Sequence, residues 1–185
     1  MKLIKTFISL LFITLLSNPS WSEGLSMDDL VERNGLYYKK FTDVPFTGEI
    51  SGLETGSFKK GEKTGKWIKF YKNGQLHFKG NYEDGKRDGL WESYHENGQL
   101  MWKGNLKDGK QDGLWKTFRK NGQLWTKENY KDKKIDGPYE HFHANGQLMR
   151  KGNYKDGKKD GLWEAYDENG QLMWKVNYKD GELVK

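Results

Sequence analysis

Two histidines, His141 and His143, stand two residues apart, the interval that puts side chains on one face of a strand, and such a pair could begin a metal site. No third ligand follows them in the chain, and they read as ordinary surface positions, as do His77 and His95. Paired acids also recur, Asp84 and Asp88 for example, at a spacing that suggests calcium. Lys86 and Arg87 lie between them and oppose a hard cation, so the aspartates read as turn formers. These polar groups reappear in equivalent places along the chain, whereas an active site needs different groups converging once. No nucleophile elbow, phosphate-cradling glycine loop or dedicated acid and base pair is present. The chain reads as a non-enzyme with no catalytic residue, no metal and no cofactor.

Aromatic rings are the residues left to carry binding, because a solvent-facing ring can stack on a sugar or grip apolar side chains of a partner. Trp67, Trp91, Trp115 and Trp163 recur in register and read as a structural spine. Trp102, Trp125 and Trp174 occupy positions filled by unlike residues elsewhere, and are the candidate binding rings. Tyr139 joins them, because it lies in an irregular stretch with Trp125, Glu128 in place of Gly, Lys133 in place of Gly, and Pro138. Proline cannot donate a ladder hydrogen bond, so a bend or bulge is expected there.

The element that must position these rings is a repeat. Asn-Gly-Gln-Leu begins at Asn73, Asn97, Asn121, Asn145 and Asn169, always 24 residues apart. Gly65, Gly89, Gly113, Gly137 and Gly161 open the units; Trp67, Trp91, Trp115, Tyr139 and Trp163 follow two places later, then Phe70, Tyr94, Phe118, Phe142 and Tyr166. Asn-Gly and Asp-Gly tolerate the positive φ of tight turns, so each unit predicts two strands. In the second strand, alternation puts Leu76, Phe78, Gly80 and Tyr82 on one face and Lys79 and Asn81 on the other. Gly80, Gly104 and Gly152 leave room in that row for a neighbouring ring. Trp67 and Phe70 are an odd number of residues apart, so either a bulge intervenes or both faces carry rings.

The unit Gly89-Leu90-Trp91-Glu92-Ser93-Tyr94-His95-Glu96-Asn97-Gly98-Gln99-Leu100, followed by Asn105-Leu106-Lys107-Asp108-Gly109, resembles the bacterial variant of the MORN repeat. The resemblance implies an all-β fold, an elongated single-layer antiparallel sheet of repeated β-hairpins. It also implies binding or scaffolding, with lipid or protein partners, and many bacterial relatives carry the label of a YwqK-type antitoxin. Five such repeats are assigned to residues 65–185, behind a leader at 23–64. Phe58-Lys59-Lys60-Gly61 aligns 24 residues before Tyr82-Glu83-Asp84-Gly85, which predicts a degenerate capping repeat in the leader. Around Asn34-Gly35 a further hairpin is favoured; Ser26-Met27-Asp28-Asp29 offers a short capped helix instead.

Residues 1–22 read as a secretory signal: Lys2 and Lys5, an apolar run from Thr6 to Leu16, and the small residues of Ser20-Trp21-Ser22. That run is too short to span a bilayer, so no transmembrane segment is expected after cleavage. Removing the signal lowers the net charge from +6 to +4 and leaves seven tryptophans. Lysines interleave with acids, as in Lys107-Asp108-Gly109-Lys110, which speaks against nucleic acid as a partner. Without cysteine there is no disulfide framework, thiolate site or lipoprotein anchor. With 34% hydrophobic residues but 15% aromatic, the rings must supply much of the buried surface. The expected protein is a periplasmic or secreted scaffold with an envelope protein partner; a glycan-binding or cell-wall module, a lipid surface and an antitoxin or immunity role are the alternatives.

Overall fold

Two turn chemistries set the course of the chain in the computed structural model, which describes residues 24–184. Asp84-Gly85, Asp108-Gly109, Asp156-Gly157 and Asp180-Gly181 have both residues at positive φ, for example 45° and 72° at the first pair. Such two-residue turns match the twist of the strands they join. Each Asn-Gly pair of the 24-residue units closes a wider loop, as in the first: Tyr71 N–H donates to Gln75 O, Gly74 N–H to Tyr71 O, and Gln75 N–H to Asn73 Oδ1.

Between these turns run β1 (Leu30–Arg33), β2 (Leu36–Lys39), β3 (Gly48–Ile50), β4 (Glu54–Lys59), β5 (Glu62–Phe70), β6 (Leu76–Glu83), β7 (Lys86–Tyr94) and β8 (Leu100–Lys107). They continue as β9 (Lys110–Phe118), β10 (Leu124–Lys131), β11 (Lys134–Phe142), β12 (Leu148–Lys155), β13 (Lys158–Tyr166), β14 (Leu172–Lys179) and β15 (Glu182–Val184). Strands β3 to β15 form one 13-stranded antiparallel sheet in sequence order. At about 4.8 Å per strand the ribbon is about 60 Å long.

Both readings of the leader hold at once. Ser26 caps a three-residue 3-10 turn, Met27–Asp29, whose Asp29 side chain returns to the Ser26 N–H, and the β1–β2 hairpin follows around Asn34-Gly35. Leu25, Met27, Leu30, Tyr37 and Phe46 then pack on Ile50, Phe58 and Trp67, covering the first end of the ribbon. β4 leads into a Lys60-Gly61 turn with both residues at positive φ, and Phe58 is buried against Trp67 at 5.1 Å. The export signal expected over residues 1–22 lies outside the described residues.

The expectation that glycine leaves room for a ring is met. A Cβ on Gly56, Gly80, Gly104 or Gly152 would lie 2.2–2.4 Å from the indole of Trp67, Trp91, Trp115 or Trp163 respectively. Each indole thus lies flat over the glycine backbone of the preceding strand. Tyrosines hold it edge-on: Tyr82 meets Trp91 at 5.1 Å and 87°, and Tyr154 meets Trp163 at 5.1 Å and 88°. Arg87 and Lys159 cover the outer faces of those two indoles at 4.5 and 4.6 Å. Each indole N–H donates to a main-chain carbonyl, as Trp91 does to Asn81 O at 3.0 Å. Trp67, Trp91 and Trp163 are fully buried in a sheet only one layer thick.

Two bulges recur in each repeat. In the first, Gly89, Leu90 and Trp91 of β7 oppose Gly80 alone; in the second, His77 is the extra residue between Leu76, opposite Phe70, and Phe78, opposite Lys69. The second bulge corrects one expectation, because it moves Leu76 out of the Phe78 row and over to Phe70. Rings also occur on both faces: Trp67 is buried on one, while Phe70 stays 37% exposed on the other. The bulge expected near Pro138 exists and departs from the others: every repeat has a bulge at this place, but here it is displaced by one residue, so that Tyr139 pairs with Glu128 and Asp136, Gly137 and Pro138 oppose Asn129.

Candidate interaction face

Opposite the indoles, one row of side chains crosses the sheet in direct register: Ile68, Lys79, Glu92, Lys103, Lys116, Lys127, Glu140, Lys151, Glu164 and Lys175. Side chains that pair across strands share a face, with Cβ atoms about 5 Å apart. Ion pairs close at four of the six steps where the signs alternate: Lys79–Glu92 at 2.7 Å, Lys127–Glu140 at 2.8 Å, and Glu164 with Lys151 at 3.0 Å and Lys175 at 3.2 Å. Hydrogen bonds from Lys151, Tyr166 and Lys175 pull the Glu164 carboxyl down to about 2. Glu92 is lowered as well, chiefly by its bond to Lys79.

The ladder has a border on each side. On one side Leu90, Leu114 and Leu162, at equivalent positions, are 55%, 51% and 47% exposed. On the other lie Phe70, Tyr94, Phe118, Phe142 and Tyr166, with lysines placed over Tyr94, Phe142 and Tyr166 at 6.0, 5.4 and 5.8 Å. A shallow groove of about 430 Å³ opens on this face at its first repeats, among Ile68, Lys79, Leu90 and Glu92. An apolar row beside an ordered charged row can take up an extended partner segment, with hydrophobic contacts for affinity and charge for register.

The candidate rings do not converge. Trp102 is half-buried and stacks on Trp115 at 4.9 Å, within a buried cluster. Tyr139, also half-buried, sits between Tyr154 and Trp163 at 5.5 and 5.6 Å. Trp125 is the bulge residue of its repeat, 44% exposed, with Arg119 over its ring and His141 at its edge. Trp174 is 39% exposed on β14. The ladder and its leucine row are what reading the rings alone missed. Their signal lies in single columns of the repeat: Lys66, Leu90, Leu114, Pro138, Leu162, and Ile68, Glu92, Lys116, Glu140, Glu164.

Two of the histidines link repeats. His95 and His143 bind through Nε2 to Phe118 O and Tyr166 O, 23 residues on, just as Tyr71 donates to Tyr94 O and Arg119 to Phe142 O. His141 Nδ1 accepts from Arg150, and among the described residues no three ligand-type side chains come together. Asn73, Asn97 and Asn145 add the same kind of bond along the wide loops, donating to Glu96, Lys120 and Glu168 carbonyls.

A meander of like hairpins, stabilised by neighbour-to-neighbour contacts and presenting one repeated surface, defines a repeat scaffold. The family model for the MORN repeat variant matches residues 63–84, 87–108, 111–132, 135–156 and 159–180, well over half of the chain, and the protein belongs to that family. No curated protein matches the chain. The matches keep the period of 24 and begin at residue 63.

Proposed function

We propose that this protein is a non-enzymatic scaffold, exported to the periplasm or beyond, that binds another envelope protein along the leucine and Lys/Glu face. The observation that carries the reading is the leucine row at 90, 114 and 162, which keeps about half of each side chain in water in three equivalent places. Exposed apolar residues repeated in register, beside a charge ladder, suit a partner lying along the ribbon. The residues before Gly24 support export through their lysine, apolar and small-residue sequence. The antitoxin role carried as a label by YwqK-type bacterial relatives calls for a partner in the cytosol, so cell fractionation separates the two. Stacking on a glycan would fall to Trp125 and Trp174, since Trp67, Trp91 and Trp163 are closed to solvent.

Cross-linking in intact cells followed by affinity capture tests the scaffold. A distinct protein should be recovered with the natural chain and lost when Leu90, Leu114 and Leu162 are all changed to Asp. Recovery of no protein, or equal recovery with the triple variant, overturns the proposal.

A further inference from the structure

The charge ladder fails in one place. At position 92, 140 or 164 the repeat carries Glu; at 116 it carries Lys, directly opposite Lys103 on one side and Lys127 on the other. Like charges directly opposed across a sheet are destabilising. Glu92 is bonded to Lys79 and Glu140 to Lys127, and among the described residues Lys103 and Lys116 have no ion-pair partner. The three lysine side chains are half-buried, which strengthens their field. Among the described residues Phe118, beside them, has no cation over its ring, unlike Tyr94, Phe142 and Tyr166.

We propose that Lys103, Lys116 and Lys127 receive a carboxylate from an acidic segment of the partner protein, which completes the alternation from outside. The inference rests on the scaffold reading above and names the chemistry of its partner. Glu92 and Glu140 bound the gap, four strand steps or about 19 Å apart, so the site takes a short anionic stretch rather than a broad anionic surface. Leu90 and Leu114 border it, so the acid is flanked by apolar side chains on its own chain. A phosphate-rich membrane or polymer would meet the two flanking glutamates, whose charge opposes a broad anionic surface.

The test is fluorescence polarisation of a labelled peptide alternating glutamate and leucine, titrated with the full chain. Lys116→Glu should weaken binding about tenfold or more, and Lys116→Gln by less. Both variants should stay folded, because Lys116→Glu restores alternation along the ladder. A glutamine-leucine peptide should bind no better to the natural chain than to Lys116→Glu. Equal affinity of the glutamate peptide for both proteins overturns the proposal. So does Lys116-dependent binding of inorganic phosphate or phosphatidylglycerol vesicles without such an effect on the peptide. If cellular capture is lost in the leucine variant but unchanged in Lys116→Glu, the scaffold stands and the carboxylate site falls.

Discussion

Gly80 has no side chain because the place a Cβ would take is filled by the Trp91 indole. A single methyl there must lift the ring off the backbone and break its bond to Asn81 O. Gly80→Ala should therefore destabilise the protein by about 3 kcal/mol, measured by urea unfolding, although alanine is normally the better strand residue. The junction of the third and fourth repeats shows the same rule in reverse. Glu128 stands where glycine would be, and the ring that should cover it is the smaller Tyr139, while the Glu128 carboxylate accepts from Tyr130 OH at 2.7 Å. Glu128→Gly and Tyr139→Trp should each destabilise alone and compensate together, with a coupling of about 1–3 kcal/mol in a double-mutant cycle. The Gly–Trp pairing was legible in the sequence because both residues recur at fixed offsets. The exposure of Trp102 was not, since a ring at an irregular position can stack on the next repeat as readily as face solvent.

At the scale of the hairpin, turn chemistry was read directly from Asn-Gly and Asp-Gly, and strand faces were read only in part. Alternation was traced correctly from Phe78 to Tyr82 and wrongly at Leu76, because a bulge at His77 leaves no mark in the pattern of apolar residues. The leader offered two local signals, a capped turn and a hairpin, and each is short enough for both to form in succession. One turn departs from its relatives. Lys133 holds φ at 68° where the other units have glycine, and the N–H that Gly109 or Gly157 donates to the preceding hairpin has no equivalent there among the described residues. Lys133→Gly should raise stability by about 0.5–1 kcal/mol, read as a shift in the urea midpoint at unchanged slope.

Over the whole ribbon, acid should act in two stages. Burial holds His77 and His141 below their ordinary value, so their neutral forms are favoured in the fold. That part of the stability is complete above about pH 6.5 and declines once these rings protonate. The ladder carboxylates follow: Glu164 titrates at about 2 in place of 4.5, so its contribution is intact above about pH 4.5 and is lost as pH falls toward 2. Thermal unfolding followed by circular dichroism should show a shallow fall below neutrality and a steeper one below about pH 4.5. Glu164→Gln should reduce only the second. Scale also explains what was hidden, because a row crossing many strands appears in the sequence only as single residues 11 or 13 places apart, too sparse to stand out before the register is known.

Because each hairpin touches little beyond its neighbours, a linear array is only as strong as its weakest joint. The third and fourth repeats meet where Trp gives way to Tyr139, where Gly gives way to Glu128, and where Lys133 drops a turn-to-hairpin bond. Under tension along the ribbon the molecule should part at that seam, yielding two blocks that rupture separately rather than one. A partner docked over Lys103, Lys116 and Lys127 would sit beside the seam and splint it, so load-bearing by the scaffold would depend on being occupied.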